Sequence, residues 1–470
     1  MTDNKEQHPA AKLAYSRKNA WDVMSDSEKG AASAFCEEYK KFLGAAKTER
    51  EGVEAARDFL AGAGFRHLEE STALRPGERV YTVNRHKTLI AAVIGRNPAA
   101  DGFNIIGAHL DSPRLDLKPQ PLYEADGFAL LKTHYYGGIK KYQWLSVPLA
   151  MHGVVVKGDG SAVSVAIGEK PGEPVFTVSD LLPHLAKDQM DKKMADAVPG
   201  ESLNVLVGGI PVGGEDLKDR FKLAVLERLH QMYGIVEEDL ISAEIEMVPA
   251  GMPRDVGLDG SFVGGYGQDD RVCSYACLRA LAEMTVPERT ALIVLADKEE
   301  IGSAGNTGMD SSFFVNAIAE IVSRCDPGSN ELVLRRVLSH SRALSADVNA
   351  GLDPNYGDVY EKTNAARLGG GVVLTKYTGS RGKSSSSDAH AEVMAAVRCL
   401  FNSAGVVWQT GELGKVDQGG GGTIAHIMAA HGMDVLDCGV ALLGMHSTFE
   451  VASKVDIYMT YKGYKAFLLS

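Results

Sequence analysis

Unbroken apolar runs recur along the chain, and most are too short to be helices. TLIAAVIG, FNIIGAH, TALIVLAD and VVLTKY set apolar residues side by side rather than at every second place. A strand wetted on one face alternates, so these runs predict strands of a sheet covered on both sides. Between them lie segments with helical spacing. TEREGVEAARDFLAGAGF predicts a helix with Thr48 as N-cap, acids in its first turn, and Gly62 and Gly64 at its end. CSYACLRALAEM, SSFFVNAIAEIVSRC and AHAEVMAAVRCL have the same character. Helix alternating with strand predicts an α/β fold, a mixed sheet sandwiched by helices.

From about Leu115 to Met252 the texture changes. Short alternating stretches (GVVVKG, AVSVAIG, EPVFTV) stand between glycine-rich turns, with one helical run, DLKDRFKLAVLERLHQMYG. The expected organisation is one α/β domain in two parts, residues 1–114 and 253–470, interrupted by a β-rich insertion over 115–252.

Composition narrows the class. A chain of 470 residues, 45% apolar and 23% charged, has ample material for a packed core. A net charge of −12 argues against nucleic acid or an acidic membrane as main partner. The first residues, MTDNKEQHPAAKLAYSRKNAWD, lack the layout of a signal peptide, and no apolar run nears the ~20 residues that cross a bilayer, so a cytoplasmic location is expected. The six cysteines are scattered. Cys273 and Cys277 stand four apart in a helical segment and read better as buried, reduced thiols than as a zinc site. Tyr135 and Tyr136 read as core or interface anchors.

Candidate chemistry gathers at the ends of apolar segments. NIIGAH ends at His109, with Asp111 two residues on; SFVGGYGQDDR offers Asp269 and Asp270; ALIVLADKEE ends in Glu299 and Glu300; RALSAD ends at Asp347; VLDCGVALLGMH ends at His446. Singly, each has a plain alternative: a rim histidine, a solvated acidic turn, a helix cap. Jointly they fit an α/β sheet that binds its ligand beyond the carboxyl ends of its strands. Two histidines with three or four carboxylates suit zinc, cobalt or manganese. One carboxylate too many for a single tetrahedral ion suggests two ions, with an aspartate shared between them and roughly 3.5–4 Å separating them.

GAHLDSP, GQDDR, DKEEIGS, LSADVNAGLDPNY and GMHSTFE together resemble, in order and spacing, the motifs of the aspartyl aminopeptidase family. That family of dinuclear zinc enzymes includes the yeast vacuolar aminopeptidase, and the chain looks most like its bacterial branch. The resemblance implies a metallo-aminopeptidase that removes N-terminal residues from peptides. By it, His109, Asp269 and Asp347 hold one ion, and Asp269, Glu300 and His446 the other. Glu299 is implied as the general acid/base, and Asp111 as the carboxylate that orients His109. His184 is implied to reach a neighbouring subunit's site, and Lys376 to lie near the substrate side chain, with Lys383 close by. A preference for acidic N-terminal residues is also implied, although Ala350, Asp353 and Lys383 depart from the eukaryotic pattern. The resemblance also implies a homo-oligomer, dimers assembling to a dodecamer through the insertion. Two rivals stand beside it: a related dinuclear deacylase or glutamyl aminopeptidase, and a non-catalytic assembly scaffold.

Two further segments carry expectations of their own. VVLTKYTGSRGKSSSS fails as a phosphate loop because Tyr377 stands where a glycine is needed, and Asp388 and His390 are expected to cap the helix that follows. QGGGGT is expected to bring backbone close to the cleft.

Overall fold

The computed structural model describes residue 10, residues 13–214 and residues 216–470. Half of the polar start, from which the expectation about a signal peptide was read, lies outside them.

The centre of the molecule is a nine-stranded mixed sheet. Its spatial order is Arg66–His67, Arg79–Asn84, Thr88–Val93, Ala291–Ala296, Asn104–His109, Arg342–Ser345, Asp434–Gly439, Val372–Thr375, Trp408–Thr410. Four adjacent members, from Ala291–Ala296 to Asp434–Gly439, run parallel. Successive side chains on them enter different cores, which is why the sequence shows runs instead of alternation. Ile106, Ala108, Ile293 and Leu295 pack on one face with the helices Asp26–Ala45, Glu49–Gly62, Gln268–Ala282 and Lys454–Leu469. Ile105, Leu292, Val294 and Ala343 pack on the other with Phe313–Cys325 and Glu331–His340.

Thr48 caps its helix as the sequence led one to expect. Its hydroxyl accepts from Glu51 N at 3.2 Å, and the Glu51 carboxylate accepts from Thr48 N at 3.1 Å. That reciprocal pair satisfies two donors that a helix start leaves open.

A second, six-stranded antiparallel sheet is built wholly from residues 114–249. It has its own core, including Leu115, Leu131, Trp144, Val155 and Met247, and carries the helix Arg220–Tyr233. A third sheet of five strands joins Arg254–Val256, Phe262–Gly265, Glu450–Ser453, Ala441–Leu443 and Asn349–Ala350.

Several elements differ from the sequence reading. VLDCGVALLGMH is two strands, Asp434–Gly439 in the nine-stranded sheet and Ala441–Leu443 in the five-stranded one. At the break, a Cβ on Gly439 would fall 1.9 Å from the Asp347 carbonyl oxygen, an approach only glycine permits. The helix Lys454–Leu469 gave no amphipathic signal because it is buried on most sides, Lys454, Asp456 and Thr460 included. Cys36, Cys273, Cys277 and Cys438 are buried free thiols, but Cys399 is exposed on the helix Ala391–Ser403. Among the described residues no helix is long and apolar enough to cross a membrane.

Candidate metal centre

The parallel strands deliver the chemistry. His109 ends Asn104–His109, and its neighbours Ala291–Ala296 and Arg342–Ser345 run on at the same edge towards Glu299, Glu300 and Asp347. Parallel strands put their carboxyl ends on one side, so residues distant in sequence meet there. Glu299 and Glu300 open a single 3₁₀ turn, Glu299–Ile301, bracketed by left-handed Lys298 (φ 65°) and Gly302 (φ 91°). Asp269 and Asp270, joined by a cis peptide, begin the helix Gln268–Ala282. His446 follows the strand Ala441–Leu443 and is itself left-handed, φ 64°.

Asp269 lies between the two histidines. His109 Nε2 is 3.3 Å from its Oδ1, and His446 Nε2 is 3.1 Å from its Oδ2 and 3.2 Å from Glu300 Oε2. Glu299 Oε2 is further off, 3.9 Å from His109 Nε2. His109, Asp269 and Glu300 can offer donor atoms all within 4.8 Å of one another, and so can His109, Asp270 and Asp347. Both imidazoles use Nδ1 elsewhere. That of His109 is 3.0 Å from the Asp111 carbonyl and 3.3 Å from its carboxylate; that of His446 is 2.8 Å from the Gly138 carbonyl. With Nδ1–H donating, each ring turns an Nε2 lone pair towards carboxylate oxygens. Lone pairs so aimed repel unless a proton or a cation stands between them.

The residues fit a metal. Nitrogen and oxygen ligands about 2.0–2.1 Å from a tetrahedral zinc lie about 3.3 Å from one another, the spacing found around Asp269. Asp269 Oδ1, Asp270 Oδ1 and Glu300 Oε1 are buried without a hydrogen-bond partner, which is costly for a carboxylate unless a cation takes the place of water.

The electrostatics point the same way. Burial pushes Glu299 up to about 7, with the charges of Asp111 and Asp269 adding to it and His109 opposing. Burial also drives Glu300 and Asp347 well above the carboxylate range, reinforced by Asp269. Asp269 goes the other way: despite its burial, His109 and His446 beside it hold it well below the usual range. Carboxyls outnumber the two imidazoles several-fold, an excess of negative charge that a buried site cannot hold without a compensating cation.

Sequence reasoning gave no role to three neighbours. Glu450, buried and pushed up to about 8 by that burial, accepts from Gln268 N (2.6 Å), Asp269 N (3.2 Å) and His446 N (2.8 Å). It thereby ties the backbone of Asp269 to that of His446, and its signal was present within GMHSTFE. Tyr136 and Gly138 come from the stretch 115–252, in which no polar constellation had stood out. Tyr136 is more than an anchor, since its hydroxyl donates to Asp111 Oδ2 at 2.9 Å.

The donors open onto a cleft of about 560 Å³, whose other walls include Val348, Asn349, Thr375, Tyr377, Leu413 and Met445. Gly420, Gly421 and Gly422 line it with backbone, as QGGGGT led one to expect. Lys376 and Lys383 are not among the lining residues. Both are tied to Asp388, at 2.7 and 3.0 Å. That ion-pair cluster replaces the expected cap: the helix Ala391–Ser403 begins at His390 with no side-chain capping bond. His184 lies exposed on the short turn Pro183–Leu185 and does not line the cleft of its own chain.

Residues 42–468 match a family profile described as aminopeptidase I zinc metalloprotease (M18). The chain is 51% identical over 455 residues to a probable M18 family aminopeptidase 1 from Clostridium acetobutylicum, covering 96% of this chain and 98% of that one. Its fold is similar to the crystal structure of an M18 aminopeptidase from Thermotoga maritima, with a TM-score of 0.93 and 48% identity, covering 97% and 99% of the two chains. A more distant likeness in fold, TM-score 0.72 at 22% identity over 92% and 95% of the chains, is to a Saccharomyces cerevisiae mApe1 dodecamer. The donor edge, the cleft it opens onto and similarity to named aminopeptidases over nearly the whole chain converge on one conclusion: the chain belongs to the M18 family of zinc metalloproteases and is a metallo-aminopeptidase, a hydrolase of peptide bonds.

Proposed function

We propose that the enzyme works with two divalent ions, zinc in the first place and cobalt or manganese as alternatives. His109, Asp269 and Asp347 would hold one; Asp269, Glu300 and His446 would hold the other. The observation that carries this is the pair of imidazoles whose Nε2 atoms face opposite oxygens of the one Asp269 carboxylate. When bound, such ions polarise a carbonyl and lower the pKa of water towards about 7. Glu299, set back from the other donors, accepts the proton of the attacking water as its oxygen adds to the first peptide carbonyl carbon. It returns that proton to the leaving amine nitrogen as the C–N bond breaks. Asp111 keeps the His109 ring in the tautomer that presents Nε2.

Lys376 and Lys383 would meet an acidic substrate side chain only by exchanging Asp388 for it. The insertion over 115–252 is the proposed oligomerisation domain, in keeping with the dodecamer of the yeast relative and with exposed Phe128, Val175 and Ile210 around one groove of its sheet. His184 would serve the site of a neighbouring subunit as a fixed hydrogen-bond donor.

Elemental analysis of reconstituted protein should find two ions per chain, with hydrolysis of aminoacyl anilides but not of N-acyl amino acids. Glu299→Gln should keep both ions while kcat falls by about 10²–10⁴-fold. An unchanged kcat, or loss of metal in this variant, contradicts the role given to Glu299.

A further inference from the structure

One buried carboxylate organises much of the centre. Asp111 accepts from Glu299 N through Oδ1 at 3.1 Å, and from Glu300 N through Oδ2 at 3.1 Å. Its Oδ1 also lies 3.3 Å from His109 Nδ1. The remaining donor is the Tyr136 hydroxyl, 2.9 Å from Oδ2. Tyr136 ends the strand Phe128–Tyr136, so this hydrogen bond comes from the six-stranded sheet and not from the sheet that bears the donors.

The next two residues continue along the centre. Gly137 is left-handed, φ 74°, and a Cβ there would lie 3.4 Å from Glu300 Cβ and 3.5 Å from its Oε2. The Gly138 carbonyl accepts from His446 Nδ1 at 2.8 Å. Tyr136 and Gly138 therefore bond to Asp111 and His446, and Gly137 between them passes close beside Glu300.

The segment is itself held firmly. The Arg114 guanidinium stacks 3.7 Å from the centre of the Tyr136 ring. Arg114 in turn pairs with Asp116 at 2.8 Å, Glu246 at 3.2 Å and Glu49 at 3.3 Å. Buried beside the Asp111 carboxylate, the Tyr136 phenol is pushed far up and remains a donor. A fixed ring with a fixed donor sets the angle of the carboxylate that receives it. Such outer partners typically govern metal affinity by about 10–100-fold.

We propose that Tyr136–Gly138 is a positioning segment through which the six-stranded sheet orients the metal donors. Tyr136 acts by way of Asp111 on His109 and the glutamate turn, and Gly138 acts on His446. The inference rests on reading His109, Glu300 and His446 as metal donors.

The test is a set of variants read by chelator competition and by the visible spectrum of the cobalt-substituted protein, with steady-state kinetics alongside. Tyr136→Phe, which removes one oxygen, should weaken binding of one ion by about 10–100-fold. It should also alter the cobalt spectrum and lower kcat with KM little changed. Asp111→Asn should weaken binding at least as much, and adding Tyr136→Phe to it should cost less than Tyr136→Phe does alone, because the hydroxyl then faces an amide in place of the carboxylate through which it acts. Gly137→Ala, strained at φ 74° and placing a methyl between Pro113 and Glu300, should weaken binding independently, so that its effect adds to that of Asp111→Asn; it also carries the test if Tyr136→Phe fails to fold. Wild-type affinity and spectrum in Tyr136→Phe would overturn the proposal, as would full additivity of Tyr136→Phe with Asp111→Asn. A wild-type protein that binds fewer than two ions would overturn the donor assignment first, and this inference with it.

Discussion

Asp388 shares its two oxygens between Lys376 and Lys383, and all three side chains are more than two-fifths exposed. Ion pairs in that setting are worth about 1 kcal/mol or less, so a substrate carboxylate can compete for the lysines. Asp388→Asn should therefore raise kcat/KM for N-terminal Glu relative to Leu by about fivefold, the equivalent of about 1 kcal/mol. An unchanged ratio would mean that neither lysine meets the substrate side chain. At this scale the sequence was most readable where a polar residue ends an apolar run, as at His109 and Asp347, because the strand that buries the run also aims the residue. It was mute about which of two adjacent acids does what. The proposed division between Glu299 and Glu300 rests in part on a turn bracketed by two left-handed residues, and spacing alone does not reveal that turn. Glu450, although it ends GMHSTFE, and Tyr136, read only as an anchor, were given no part in the centre because their work is done on other residues.

At the scale of elements, the helix Glu49–Gly62 is joined to the six-stranded sheet through His152. Its Nδ1 lies 2.8 Å from Glu51 and its Nε2 3.2 Å from Glu169, which also pairs with Lys47 at 3.1 Å. Burial opposes a charge on His152, but the two glutamates outweigh it and raise the imidazole to about 9. A histidine raised on folding contributes stability in full below its unfolded pKa of about 6.5, and the contribution fades as pH climbs through the folded value. His152→Gln should therefore lower unfolding free energy by on the order of 3 kcal/mol at pH 6 and by much less at pH 10, as measured in denaturant titrations. Equal losses at both pH values would show that the imidazolium is not what joins the two elements. The helix itself was legible from Thr48 onward because capping is local chemistry. The split of VLDCGVALLGMH into two sheets was not, because it depends on Gly439 meeting a carbonyl from another strand.

At the scale of the whole molecule, the proposed reach of His184 into a neighbour makes activity a property of pairs of subunits. Mixing His184→Phe chains with Glu299→Gln chains and reassembling them should restore turnover that neither parent has, because some sites then combine an intact glutamate with an intact histidine. Heteromers that stay inactive would end the trans role. One feature of the site bears on the molecule beyond catalysis: its donors come from positions as far apart in the chain as His109 and His446, by way of both the central sheet and its loops. An unfolded chain cannot gather such a set, so whatever occupies the centre grips only the folded form, and its affinity is added to the free energy that keeps the protein folded. Depletion by a chelator would then act as a denaturing stress on a long-range cross-link, loosening the closure between the first and last thirds of the polypeptide as well as stopping turnover.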